Sequence, residues 1–205
     1  MSGDTPAPAH TPSVVTRHAF AIFLLVTGIL GLTASLALSV EKIERLLNPQ
    51  TALGCDLSVL VQCSANLDSA QGAVLGFPNP FLGLVGYAAV ATTGVALLAT
   101  AHLARWFWVG FTLGVTFAMA FVVWLITQSV FILGTLCPWC LLVWSVTIPL
   151  FIFTTGRSLR AGVFGAGPAR LGAALWPWLT LITLLAYVAV AVVAQLRLDV
   201  IGSLL

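Results

Sequence analysis

The sequence predicts an all-α integral membrane protein with five spans, on three observations. Of the 205 residues, 60% are hydrophobic and only 7% charged, whereas a soluble domain carries about 25% charged residues and 45–50% apolar ones. Mean hydropathy is +1.09. The apolar residues gather into five runs, and roughly 20 residues suffice to cross a lipid core. Eight Lys plus Arg and six Asp plus Glu are too few to cover a water-facing surface, which excludes an ordinary globular enzyme and a disordered chain. The net charge of +2 is too small to attract a polyanion, so no nucleic acid is expected as a partner.

The elements follow in order. Residues 1–18, MSGDTPAPAHTPSVVTRH, are rich in Pro, Ala, Ser and Thr without apolar periodicity, and read as a disordered cytoplasmic tail. The first run, Ala19–Val40, is long enough at ~1.5 Å per residue to cross a ~30 Å core. Its end, ASLALS, also offers the small residues of a cleavable signal, although the run is longer than a usual signal core and Arg17 is the one firm positive side chain before it. Residues 41–79 form the longest polar stretch. The second span is Pro80–Ala101 and the third about Trp106–Leu133. The fourth begins near Cys137 and ends before Gly156. GRSLRAGVFGAGPAR is a basic, glycine-rich connection to a fifth span near Leu171–Leu196, and RLDVIGSLL is a short outer tail. The chain thus divides into residues 1–18, 19–155 and 156–205.

Positive charge in short loops favours the cytoplasmic side. An inside N-terminus places Arg17, Arg105, Arg157, Arg160 and Arg170 inside, and leaves Lys42, Arg45 and Arg197 outside with Glu41, Glu44, Asp56 and Asp68. The expected orientation is N-in and C-out. Cys55, Cys63, Cys137 and Cys140 then all fall on the outer side, where disulfides persist. Gly28, Gly31 and Ser35 in the first span, with Gly110 and Gly114 in the third, read as small residues that let helices pack closely.

Cys137-Pro138-Trp139-Cys140 is a CxxC at a helix start, where the helix dipole favours thiolate and proline suits the first turn. A zinc site is the competing reading. It needs further ligands: His10, His18 and His102 all lie on the cytoplasmic side, and a four-thiolate site with Cys55 and Cys63 does not suit an oxidising compartment, so no metal is expected. An inert structural disulfide is the other. If the fourth helix ends near Thr155, Cys140 stands ~22 Å above that end, just inside lipid. It could there meet an oxidant dissolved in the bilayer, while Cys55 and Cys63 on the loop meet a soluble protein. That arrangement describes a relay.

CDLSVLVQCSANLDSAQGAVLGFPNPFLGLVGY, followed about 74 residues after Cys63 by CPWC, resembles the vitamin K epoxide reductase family, and most of all its bacterial members. The resemblance covers Ala19 to Thr155: the seven-residue gap between Cys55 and Cys63, Ser69, the FPNP turn with Asn79, and the CxxC stand in order. It implies a four-helix transmembrane bundle plus a fifth transmembrane helix, with a quinone (menaquinone or ubiquinone) held near the CxxC. Asn79 matches the asparagine that binds a quinone carbonyl, and Ser69 the polar residue of the loop helix. Trp144 stands where animal members have a tyrosine. Each also has a plainer reading: Asn79 as a turn residue, Ser69 as a helix cap, and Trp139, Trp144 and Phe81 as interfacial aromatics rather than walls of the quinone pocket.

The resemblance implies a thiol–quinone oxidoreductase of the bacterial inner membrane that drives disulfide formation outside the cytoplasm. A thioredoxin-like (DsbA-like) partner attacks a Cys55–Cys63 disulfide at Cys55, Cys63 attacks Cys137, and Cys140 passes electrons to the quinone. Some bacterial members carry a fused thioredoxin-like domain after the fifth span; this sequence stops at Leu205, so the partner is expected in trans. The alternatives are a structural membrane protein with two stabilising disulfides and a disulfide oxidase of the DsbB type. The latter places its CxxC before the spaced pair, the reverse of the order here.

Overall fold

The structure, a computed structural model, describes residues 14–204, with side chains over 17–202. Five helical stretches are long and apolar enough to cross a membrane, and the protein is a multi-pass membrane protein. The helices are α1 (Val14–Leu47), the short loop helix α2 (Ser64–Asp68), α3 (Pro80–Leu98), α4 (Arg105–Thr127), α5 (Pro138–Arg160), α6 (Ala166–Leu175), α7 (Leu179–Leu198) and the short α8 (Val200–Leu204).

α1 is the spine. It packs along α3 and α5, and α5 packs on α4. Its contact face is made of small residues: a Cβ on Gly28 would meet the backbone of Ala91 at 2.6 Å, and one on Gly31 the Tyr87 ring at 2.3 Å. Within ASLALS, Ala34, Ser35, Leu38 and Ser39 are buried, so the segment with the features of a signal's end is part of the bundle's packing face. α1 also starts earlier and ends later than its apolar run. Val14–His18, read as tail, are helical, and Arg17 donates to the Ala101 carbonyl at 2.7 Å. The rest of that tail, residues 1–13, lies outside the described residues.

α3 and α4 are consecutive in the chain yet make little contact with each other. A cavity of about 540 Å³ lies between them, backed by α1 and α5. Gly110 and Gly114 explain the space, since a Cβ at either would find nothing within 4 Å. Expected as packing residues, they line the cavity instead.

α5 runs on to Arg160 instead of stopping before Gly156. Gly156 does not end the helix because it is a contact point, where a Cβ would stand 2.6 Å from Leu179 Cδ1. Beyond it, Ser158 pairs with Thr112 at 2.8 Å, and the Arg157 guanidinium lies over the rings of Phe20 and Trp108 at 4.6 and 4.2 Å. The helix end is therefore about 20 residues, or ~30 Å, from Cys140, farther than the ~22 Å expected from an end near Thr155. Most of the basic connection is helical too. The turn between α5 and α6 needs positive φ at Gly162 (70°) and Gly165 (108°). The fifth span comprises α6 and α7, broken at Trp176–Trp178, where Pro177 sits in a 3-10 turn.

Candidate functional site

The site is assembled at the loop end of α1 and the start of α5. Polar residues at the end of α1 hold the outer loop down: Lys42 donates to the Leu67 carbonyl at 2.6 Å, and Arg45 pairs with Asp68 at 2.8 Å while donating to the Thr51 carbonyl. The same loop is stitched to the segment before α5. Leu136 N–H donates to Leu60 O at 2.8 Å and Gln62 N–H to Leu136 O at 3.0 Å, forming a short parallel bridge. Cys137 directly follows Leu136 and Cys63 stands two residues after Val61, so the bridge brings the two cysteines together. Asn66 and Ser129 extend the stitch through Thr135.

Cys55 and Cys63 form a disulfide, and Cys137 and Cys140 are free thiols. Cys137 Sγ lies 3.0 Å from Cys63 Sγ. Cys137 caps α5, its sulfur accepting the Cys140 backbone N–H at 3.4 Å. The Cys140 thiol, followed by the N–H groups of Cys140 and Trp139, holds Cys137 below the ordinary thiol pKa against the opposing pull of burial and of Glu41. The loop pair is not open to solvent, as its place on a polar loop had suggested. Cys55 is 4% exposed and Cys63 0%, because Leu38, Leu53 and Leu67 close over both together with Cys137.

Asp56, next to Cys55, shapes the loop. Its carboxylate accepts N–H groups from Cys63 (2.8 Å), Ser64 (3.1 Å) and Leu53 (3.3 Å). Burial alone would raise its pKa, and these hydrogen bonds together bring it below the ordinary value.

Cys140 lines the α3–α4 cavity, as do Asn79, Ser69 and Trp144. Phe81 is half-buried and does not line it. The lining includes Asn79 just before α3 and, on α3, Gly83, Gly86, Tyr87 and Val90, and Phe81 belongs with Leu84 and Ala88 on the stripe turned away, one and two turns along. Trp139 sits instead against the cysteine cluster. Asn79 and Ser69 each also hold the loop. Asn79 Nδ2 donates to Gln71 O at 2.6 Å and its Oδ1 accepts from Val74 N at 3.2 Å, while Ser69 accepts from Gly72 N at 3.2 Å at the start of the 3-10 turn Ala70–Ala73.

One site residue escaped the sequence reading. Glu41 Oε2 lies 2.8 Å from Cys55 Sγ, although Glu41 had been counted only as outer-loop charge. The signal was available, since Glu41 follows the buried Leu38 by three residues and so shares its helix face. Glu41, Cys55 and Cys63 place their ligand-type atoms within 4.8 Å of one another, but sulfurs joined to each other are not thiolate ligands. No curated protein matches the chain. Residues 22–155 match the profile of the Vitamin K epoxide reductase family, and the chain belongs to that family of membrane thiol–quinone oxidoreductases.

Proposed function

We propose that the protein carries electrons from a thioredoxin-like protein outside the cytoplasm to a quinone in a bacterial inner membrane, and so drives disulfide formation. The observation behind this reading is the line of sulfurs. Cys55 is bonded to Cys63, Cys63 lies 3.0 Å from Cys137, and Cys140 stands in the cavity wall.

The cavity suits a quinone such as menaquinone or ubiquinone. Its volume of about 540 Å³ falls in the usual range of small-molecule sites, and its lining is mostly apolar, with Asn79, Ser69, Gln71 and Gln128 at the loop end. Asn79 spends one amide hydrogen on Gln71 O and keeps a second for a carbonyl. Trp144 offers an aromatic wall. A bound quinone supplies the two-electron acceptor for the reduced Cys137–Cys140 pair.

The protein's own residues do the rest by thiol–disulfide exchange. The partner's thiolate attacks Cys55 once the covering loop opens. The freed pair then works inward, Cys63 attacking Cys137 of the oxidised CxxC so that Cys140 leaves as a thiolate. Orientation rests on charge: Arg17, Arg105 and Arg157 gather at the end opposite the cysteines, bound to Ala101 O, Val163 O and the Phe20–Trp108 rings. That end is the cytoplasmic one.

The test is quinone reduction by purified protein supplied with a reduced thioredoxin-like donor. Donor disulfide and reduced quinone should appear in equal amounts over many turnovers, and Cys140→Ser should abolish quinone reduction and leave at most one donor disulfide per protein. Folded wild-type protein that leaves the quinone oxidised would overturn the reading, as would undiminished activity in Cys140→Ser.

A further inference from the structure

The outer sulfur of the loop disulfide has a carboxyl group against it. Glu41 Oε2 stands 2.8 Å from Cys55 Sγ. A disulfide sulfur has no hydrogen to donate, so a contact this short is a hydrogen bond when the carboxyl carries the proton and the sulfur accepts it. The cations nearest in sequence, Lys42 and Arg45, are turned to Asp68. The titratable groups facing Glu41 are Glu44 one turn on, Asp56 from the loop, and Cys137 and Cys140 from the start of α5. Asp56 is already committed to the backbone of Leu53, Cys63 and Ser64.

We infer that Glu41 is a catalytic residue of the relay, the base that takes the Cys55 proton when Cys55 attacks Cys63 and the acid that returns it when Cys55 leaves. This inference rests on the relay proposed above. The step balances within the protein. Cys55 S–H gives its proton to the Glu41 carboxylate, and the Cys55 thiolate attacks Sγ of Cys63 in a Cys63–Cys137 disulfide. The Cys55–Cys63 bond forms, the Cys63–Cys137 bond breaks, and Cys137 departs as a thiolate with the electron pair. The structure has the arrangement of the products: Cys55 joined to Cys63, Cys137 still 3.0 Å away, and Glu41 against Cys55.

The experiment follows the Cys63–Cys137 bond during donor-driven turnover, using acid quench, alkylation of free thiols and peptide mapping, in wild type, Glu41→Gln and Glu41→Asp. Removing a general base costs on the order of 10²-fold or more, so Glu41→Gln should accumulate the Cys63–Cys137 bond at neutral pH. Its resolution rate should climb about tenfold per pH unit as Cys55 ionises unaided, while wild type and Glu41→Asp give a flatter profile. Infrared difference spectra of wild type, disulfide form minus fully reduced form, should show a protonated-carboxyl band that Glu41→Gln lacks; this needs neither donor nor quinone. A wild-type spectrum without that band overturns the inference, as does a Glu41→Gln profile superposable on wild type. Failure of wild type to turn over would instead strike the relay itself, and leaves the infrared result to decide the role of Glu41.

Discussion

Cys63 and Cys137, 74 positions apart in the chain, face each other sulfur to sulfur at 3.0 Å, and Cys63 is the fully buried member of the loop pair. The parallel bridge between Val61 and Leu136 sets this register. In the proposed relay this gives Cys63 the inner position and Cys55 the outer. In Cys55→Ser/Cys140→Ser neither resolving thiol remains, so a Cys63–Cys137 disulfide should accumulate on oxidation. Cleavage at a protease site engineered between His102 and Arg105 should leave two halves joined on a non-reducing gel. Separation of the halves without reductant, with a crosslink forming instead in Cys63→Ser/Cys140→Ser, would exchange the two roles.

Asn79 holds the loop and, in the function proposed above, also binds the quinone; substitutions can separate the two. Asn79→Ala removes the bonds to Gln71 O and Val74 N, each worth about 0.5–1.5 kcal/mol net, and should lower the thermal unfolding midpoint. Asn79→Asp keeps the acceptor for Val74 N and loses the amide donor. Both variants should raise the quinone KM several-fold, with exchange between donor and Cys55 less affected. An unchanged KM alongside a lowered midpoint would leave Asn79 as a turn residue alone.

The glycines of α1 and α4 should respond in opposite ways. Gly28→Leu drives a side chain into the Ala91 backbone, which already lies 2.6 Å from where a Cβ would be, and should prevent normal assembly. Gly114→Leu grows into the cavity with nothing within 4 Å of its Cβ. It should fold with a near wild-type thermal midpoint while quinone reduction falls at least tenfold. Full activity in Gly114→Leu would place the quinone elsewhere.

Asp56 makes the loop acid-sensitive. Burial raises its folded pKa, but hydrogen bonds from the Ser64, Cys63 and Leu53 backbone and the Ser64 side chain together bring it below the ordinary 3.8. A depressed carboxylate pKa stabilises the fold above the unfolded value, and that contribution is lost as pH falls through the folded one. Reduction of Cys55–Cys63 by a phosphine, normalised to a small disulfide at the same pH, should therefore accelerate below about pH 4. Asp56→Asn should show the faster rate already at neutral pH. A variant indistinguishable from wild type across this range would mean that the carboxylate does not hold the cover closed.

Much of this protein is local information. Apolar run length predicted the five spans, because crossing lipid depends on consecutive residues, and the cysteine spacing with FPNP carried the family resemblance. The boundaries moved wherever packing outweighed composition: α5 passes through Gly156 because Leu179 and Trp108 hold its last turns, and α1 runs past Val40 because Lys42 and Arg45 are needed against the loop. The tertiary structure alone decided which sulfur meets which. It turned Phe81 from the cavity, left space beside Gly110 and Gly114, and brought Glu41 to Cys55. These outcomes depend on backbone pairing and side-chain contact between segments distant in the chain, and a helical period or a residue spacing contains no information about the segment on the other side of the contact.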